Sequence, residues 1–122
     1  MPEVFFLLLF AHDQPPQSSA ILELSPNERR WNKMNSYLIT YDLDKPGKDY
    51  ESLINRIKEY PAWAHICESS WCVRSSNSSK DIRDTLSPYL DDNDKLFVGK
   101  LTGEAAWQGL SKELTNWLHD NL

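Results

Sequence analysis

The sequence predicts an α+β domain, a single antiparallel sheet with helices packed against it, and three observations carry that prediction. Short β-branched and aromatic runs alternate with segments of helical periodicity from Met34 to the last residue. Pro, Gly, Asp and Asn cluster between those segments, where turns belong. The chain of 122 residues, 40% hydrophobic and 25% charged, has the size and balance of one globular domain.

The first predicted strand is Ser36 to Tyr41, built on Tyr37-Leu38-Ile39-Thr40-Tyr41 and stopped by Asp42-Leu43-Asp44-Lys45-Pro46-Gly47, whose Pro-Gly pair signals a turn. It delivers the acidic pair Asp42 and Asp44 to its carboxyl end. Asp49 is a candidate N-cap, and Tyr50, Leu53, Ile54, Ile57 and Tyr60 follow at helical spacing up to Pro61. Trp63 to Ser75 reads as strand but is long for one, so Glu68-Ser69-Ser70 is expected to divide it into two. If residues 69 and 70 make the turn, Cys67 and Cys72 become cross-strand neighbours.

Ser78, with Asp81 three residues on, is expected to cap a second helix carrying Ile82, Leu86, Tyr89 and Leu90 on one face, with Pro88 bending or ending it. Asp91-Asp92-Asn93-Asp94 reads as a solvated acidic loop; it lacks the spacing, glycine and distal glutamate of an EF-hand. Lys95 to Leu101 is the last predicted strand. Trp107, Leu110, Leu114, Trp117 and Leu118 recur at helical spacing and predict a terminal helix to about Asn121, with Ser111 as its cap. The order β-α-β-β-α-β with an appended helix is the split βαβ, or ferredoxin-like, arrangement. Helices would cover one sheet face, and the terminal helix or a second subunit would cover the other, which makes a homodimer the economical expectation.

Residues 1–33 lack any sustained period and are expected to form a poorly packed N-terminal extension to a domain spanning residues 34–122. The apolar run Val4 to Phe10 is seven residues long, far below the ~20 that span a bilayer. Glu3 before it and Ala11-His12-Asp13 after it do not make a secretory signal. Two cysteines are too few for a disulfide framework or a zinc signature, so the expected location is the reducing cytoplasm.

Three segments, SYLITYDLD (36–44), WAHICESSWCVR (63–74) and KLFVGKLTGE (95–104), resemble a group of small bacterial proteins labelled as SinR family. That group is in turn similar to the CRISPR adaptation nuclease subunits and to virulence-associated protein D toxins. The resemblance implies a ferredoxin-like homodimer and a metal-dependent nuclease or toxin acting on RNA or DNA. It makes Asp42, at the end of the first strand, the counterpart of the proposed metal ligand of the CRISPR subunits. The acidic balance runs against a broad nucleic-acid grip: net charge is −5, and from Met34 onward 10 Lys plus Arg face 14 Asp plus Glu.

Asp42 has two readings. Paired with its twin across a twofold axis it would hold Mg²⁺, which is content with one or two carboxylates and several waters. Otherwise it accepts hydrogen bonds from the loop Leu43 to Gly47. Asp44 is a second candidate ligand, or a turn residue. Lys45, Lys48 and Lys100 are candidate phosphate contacts, or ordinary solvated lysines. His65 and Glu68 are a candidate acid and base, against the commoner fate of a half-buried, hydrogen-bonded histidine. Trp63, Trp71, Trp107 and Trp117 would stack bases or, more simply, fill a small core or dimer face. The alternative to a nuclease is a non-catalytic dimeric interaction or regulatory module of the same fold.

Overall fold

The computed structural model describes residues 3–6, 33–45 and 50–122; the expected Asp49 cap, Lys48 and most of the expected N-terminal extension lie outside these. The molecule is α+β, as the patterning predicts, with an antiparallel sheet and helices. Its elements are β1 (Glu3–Phe6), β2 (Asn35–Asp42), α1 (Glu51–Ile57), β3 (Ala62–Cys67), β4 (Ser70–Ser75), α2 (Ser79–Leu86) with a 3₁₀ turn at Ser87–Tyr89, β5 (Lys95–Leu101) and α3 (Lys112–Asn121). The strands lie in the order β1-β3-β4-β2-β5, and every neighbouring pair is antiparallel.

Alternation along β2 divides the sheet into two faces. Tyr37, Ile39 and Tyr41 are buried in a core with Leu53 and Ile57 of α1, Ile82 and Leu86 of α2, and Trp63, Trp71 and Val73 of the central hairpin. Trp71 is fully buried, and its indole N–H donates to the Tyr41 hydroxyl at 3.0 Å, so the large ring leaves no orphaned donor. Ser36, Leu38, Thr40 and Asp42 point to the opposite face. There a second core joins Met34, Ala62, Ala64 and Cys72 to Leu114, Trp117 and Leu118 of α3.

The helix signals act as the sequence suggests. Ser78 accepts from the Asp81 amide at 3.1 Å while the Asp81 carboxylate accepts from the Ser78 amide at 3.4 Å, a reciprocal capping box that starts α2. Ser111 caps α3 by accepting from the Leu114 amide at 3.1 Å. Pro88 ends α2 in the 3₁₀ turn, which carries Tyr89 out to solvent instead of onto the apolar face expected for it.

The β3–β4 turn falls within the expected Glu68-Ser69-Ser70 break, but residues 69 and 70 do not form it. Glu68 and Ser69 make it, Cys67 pairs with Ser70 across an irregularity between His65 and Cys67, and Cys72 pairs with Ala64. The two cysteines are therefore not directly opposed. Both are free thiols, Cys67 exposed and Cys72 buried, and burial pushes the Cys72 thiol up to about 12. Among the described residues no helix is long and apolar enough to cross a membrane.

The appended helix covers only part of its sheet face. α3 lies over the β1–β3 side. The β2–β5 side presents Thr40 and Asp42 beside Lys95, Phe97 and Gly99, and Phe97 is 60% exposed.

Candidate functional site at the carboxyl end of β2

Asp42 is the last residue of β2 and is exposed. Among the described residues its carboxylate takes part in no hydrogen bond or ion pair, so it does not fasten Leu43, Asp44 or Lys45 of the segment that follows it. Asp94 does that work. Its Oδ1 accepts from the Asp44 amide at 2.8 Å and its Oδ2 from the Asp91 amide at 2.8 Å, while the Tyr50 hydroxyl sits 3.0 and 3.2 Å from the two oxygens. One carboxylate thus fastens the chain leaving β2 and the start of α1 to the loop that enters β5. The segment expected to be a plain acidic loop contains the clamp.

Asp44 is exposed and meets Asp94 through its backbone N–H, not through its carboxylate. Lys45 Nζ stands 3.9 Å from an Asp91 carboxylate oxygen, a loose and largely solvated pair. Lys100 is not near Asp42. Because β5 runs antiparallel to β2, Lys100 lies opposite Tyr37, about 17 Å along the strand from Asp42 at ~3.4 Å per residue. It also belongs to the opposite sheet face. The cation opposite Asp42 in register is Lys95, its cross-strand partner in the β2–β5 ladder, with no ion pair between the two side chains. These two residues, with Thr40, Tyr41, Leu96 and Phe97, line a shallow hollow of about 210 Å³.

His65 and Glu68 are at the same end of the sheet, held there by the Tyr41 amide, which donates to the Ser69 carbonyl at 3.1 Å. His65 stacks on Trp71 with ring centroids 4.0 Å apart and planes 7° from parallel, and its Nε2 contacts the Glu68 carbonyl oxygen at 3.1 Å. The pair meets through a backbone carbonyl, not through the Glu68 carboxylate. Together with Cys67, Leu110, Ser111 and Leu114, His65 and Glu68 border a hollow of about 490 Å³. The Tyr41 hydroxyl is raised above the ordinary tyrosine range by burial, opposed by the hydrogen bond from Trp71 and reinforced by the Glu68 charge.

Trp63 and Trp71 are core residues with centroids 5.5 Å apart, and Trp117 of α3 is buried in the second core; none offers a free face for a base. Trp107 is partly buried, and its indole N–H donates to Thr115 Oγ1 at 3.1 Å. Lys95, Phe97 and Asp94 are the residues that sequence reasoning missed. The first two were accessible from the expected topology, since an antiparallel last strand beside the first puts Lys95 opposite Asp42, and alternation then places Phe97 on the same face. Asp94 looked like one more residue of an acidic loop because only its bond to the Asp91 amide is local, while Tyr50 and the Asp44 amide are 44 and 50 residues away in the chain.

Among the described residues no group of three or more His, Cys, Asp or Glu side chains converges as a metal site. Among the described residues the carboxylates of Asp42 and Asp44 are without a hydrogen bond or ion pair at this end of β2, and that donor set suits Mg²⁺ only where a second copy or several waters complete it. No family model matches the chain, and no solved structure matches it.

Proposed function

We propose that residues 34–122 form a ferredoxin-like domain that works as a homodimer in the reducing cytoplasm, and that its Asp42 end serves metal-dependent cleavage of an RNA or DNA phosphodiester. The observation that carries this reading is the freedom of Asp42. A strand-end carboxylate, exposed and unpaired among the described residues while Asp94 ties down the adjoining segment at Asp44, is held in place by the backbone yet keeps its oxygens for an outside ligand. The sheet order β5-β2-β4-β3 with antiparallel neighbours supports the ferredoxin-like assignment, with β1 added at the edge.

In this reading Asp42, joined by its twin, holds Mg²⁺, and Asp44 stands one pleat further on as an outer carboxylate. The ion would supply Lewis-acid polarisation of a phosphoryl oxygen and a more acidic bound water. Lys95 and Lys45 are the described cations at this end and would meet phosphate, with Lys48 in the same loop sequence; Lys100 has no place in it. Asp94 acts as a positioning residue, fixing where the chain leaves β2.

The non-catalytic module is favoured by a different observation. Lys95 directly faces Asp42, and a cation across the ladder competes with a metal for the carboxylate. A cleavage assay on purified protein separates the two. With Mg²⁺ or Mn²⁺ present, single-stranded RNA and DNA are incubated with wild type, Asp42→Asn and Asp92→Asn. The nuclease reading expects cleavage abolished by Asp42→Asn and kept by Asp92→Asn. Equal cleavage by all three removes the site, and no cleavage by wild type leaves the module.

A further inference from the structure

We infer that the Phe97 ring is a stacking platform for an unpaired nucleobase, set one pleat from the Asp42–Lys95 pair on the same sheet face, so that this end of the sheet grips a single strand by its bases as well as its phosphates. The inference rests on the nucleic-acid reading proposed above and adds to it a base-binding subsite beside Asp42.

Three observations build the platform. Phe97 lies opposite Thr40 and Lys95 opposite Asp42 in the β2–β5 ladder, so all four side chains leave one face, and Phe97 is ~7 Å along the strand from Lys95. A Cβ built on Gly99 would stand 2.9 Å from Phe97 Cε2 and 3.2 Å from its Cζ, so the ring lies down over Gly99, and the missing side chain is what gives it room. One ring face rests on backbone and the other stays open: Phe97 is 60% exposed, on the part of the sheet face that α3 leaves bare. Trp63, Trp71, Trp107 and Trp117 all pack in or against the two cores, and Tyr89, the other exposed large apolar residue among those described, belongs to the 3₁₀ turn.

The surroundings of the ring select a base as its occupant. Proteins that hold single strands combine an aromatic, on which the base stacks, with cations that track the phosphates. Lys95 is exposed and makes no ion pair with a described residue, so its charge is available to a phosphate. The ~7 Å from Phe97 to Lys95 is on the scale of one nucleotide step, which puts the phosphate next to a stacked base at Lys95 and Asp42. A π face accepts any base and ignores the sugar, so the platform reads neither sequence nor the 2′-hydroxyl. What it does require is a base outside a duplex, where both base faces are already stacked. It also requires a clear sheet face, so in the proposed homodimer the partner's Asp42 arrives from beyond the strand ends and not over the sheet.

The test is fluorescence anisotropy of a fluorescein-labelled single-stranded DNA of about 12 nucleotides, titrated with the full-length protein at low ionic strength. EDTA is present throughout, so neither a metal nor cleavage enters the readout, and far-ultraviolet circular dichroism confirms the fold of each variant. Wild type should bind the single strand, and the same sequence as a duplex at least about tenfold more weakly. Phe97→Ser should raise the Kd for the single strand at least about tenfold, the effect of losing one stacked base, while Phe97→Tyr keeps the ring and stays near wild type. A wild type that does not bind the single strand, or binds the duplex as well, overturns the inference. So does Phe97→Ser that binds like wild type, which would leave the ring to a protein partner, or Phe97→Tyr as weak as Phe97→Ser. Stacking read without metal survives a failure of cleavage at Asp42, and metal binding at Asp42 survives a failure of stacking, so the two readings fall separately.

Discussion

Replacing Asp94 by alanine removes one carboxylate from three donors that come from two separate loops. Backbone amides of Asp44 and Asp91 donate at 2.8 Å, and the Tyr50 hydroxyl contacts both oxygens at 3.0 and 3.2 Å. A hydrogen bond to a charged acceptor contributes ~1.5–3 kcal/mol when buried. Here the Asp44 amide is open to solvent, and water replaces much of what it loses, so each bond is discounted to ~0.5–1 kcal/mol. The sum is about 2 kcal/mol. Against a total stability of ~5–15 kcal/mol for a domain of this kind, that loss is large, and it lowers Tm by roughly 6–10 °C for a chain of intermediate size. Equilibrium urea unfolding followed by tryptophan fluorescence reads it directly, with Asp92→Ala as the control, since Asp92 is exposed in the same loop. The control should stay within ~0.5 kcal/mol of wild type. Asp94→Asn, which keeps one acceptor oxygen, should fall between the two. If Asp94→Ala unfolds with the same midpoint and slope as Asp92→Ala, the clamp is not holding the loops and the freedom of Asp42 loses its explanation.

Trp71→Phe should cost ~2–3 kcal/mol in the same assay, because it opens a void in the main core and removes the donor to the Tyr41 hydroxyl. The thiols should separate by reactivity: in native protein at pH 8 a disulfide reagent should label Cys67 alone, and Cys72 should react only once denaturant is added. The burial of Cys72 also sets a pH dependence. The unfolded chain loses the thiol proton near the ordinary value of 9.0 while the native state keeps it to about 12, so the unfolded state binds fewer protons across that window. Stability should therefore fall as pH rises from about 9 to about 12. Cys72→Ala should flatten that slope in urea midpoints against pH; the residual slope above pH 10 belongs to Tyr41 and Tyr60, both raised by burial.

The parts of the fold that were legible in the sequence are those set by local patterning. Tyr37-Leu38-Ile39-Thr40-Tyr41, the Ser78 and Ser111 caps, and the Leu114–Trp117–Leu118 stripe each act through neighbours within a turn or a pleat, so their roles follow from spacing. Pairing register is not local. The turn at Glu68 and Ser69 depends on an irregularity between His65 and Cys67 that no turn signal marks, and one residue of slip was enough to separate the two cysteines. For the candidate site the same division holds. Asp42 was visible because a strand end is a local feature. Lys100 looked equally suitable until antiparallel pairing put it at the far end of β2, and Lys95 took its place. Asp94 was hidden in its acidic run because its contacts with Tyr50 and the Asp44 amide exist only where two distant loops meet.

The central claim is that Asp42 is kept free to hold a divalent cation, and Mn²⁺ binding tests it most directly. Water proton relaxation or calorimetry on the full-length protein, titrated with Mn²⁺, should show one site per two chains in wild type. That site should be lost in Asp42→Asn and kept in Asp92→Asn. Failure of wild type to bind Mn²⁺, or binding that Asp42→Asn leaves unchanged, would contradict the claim.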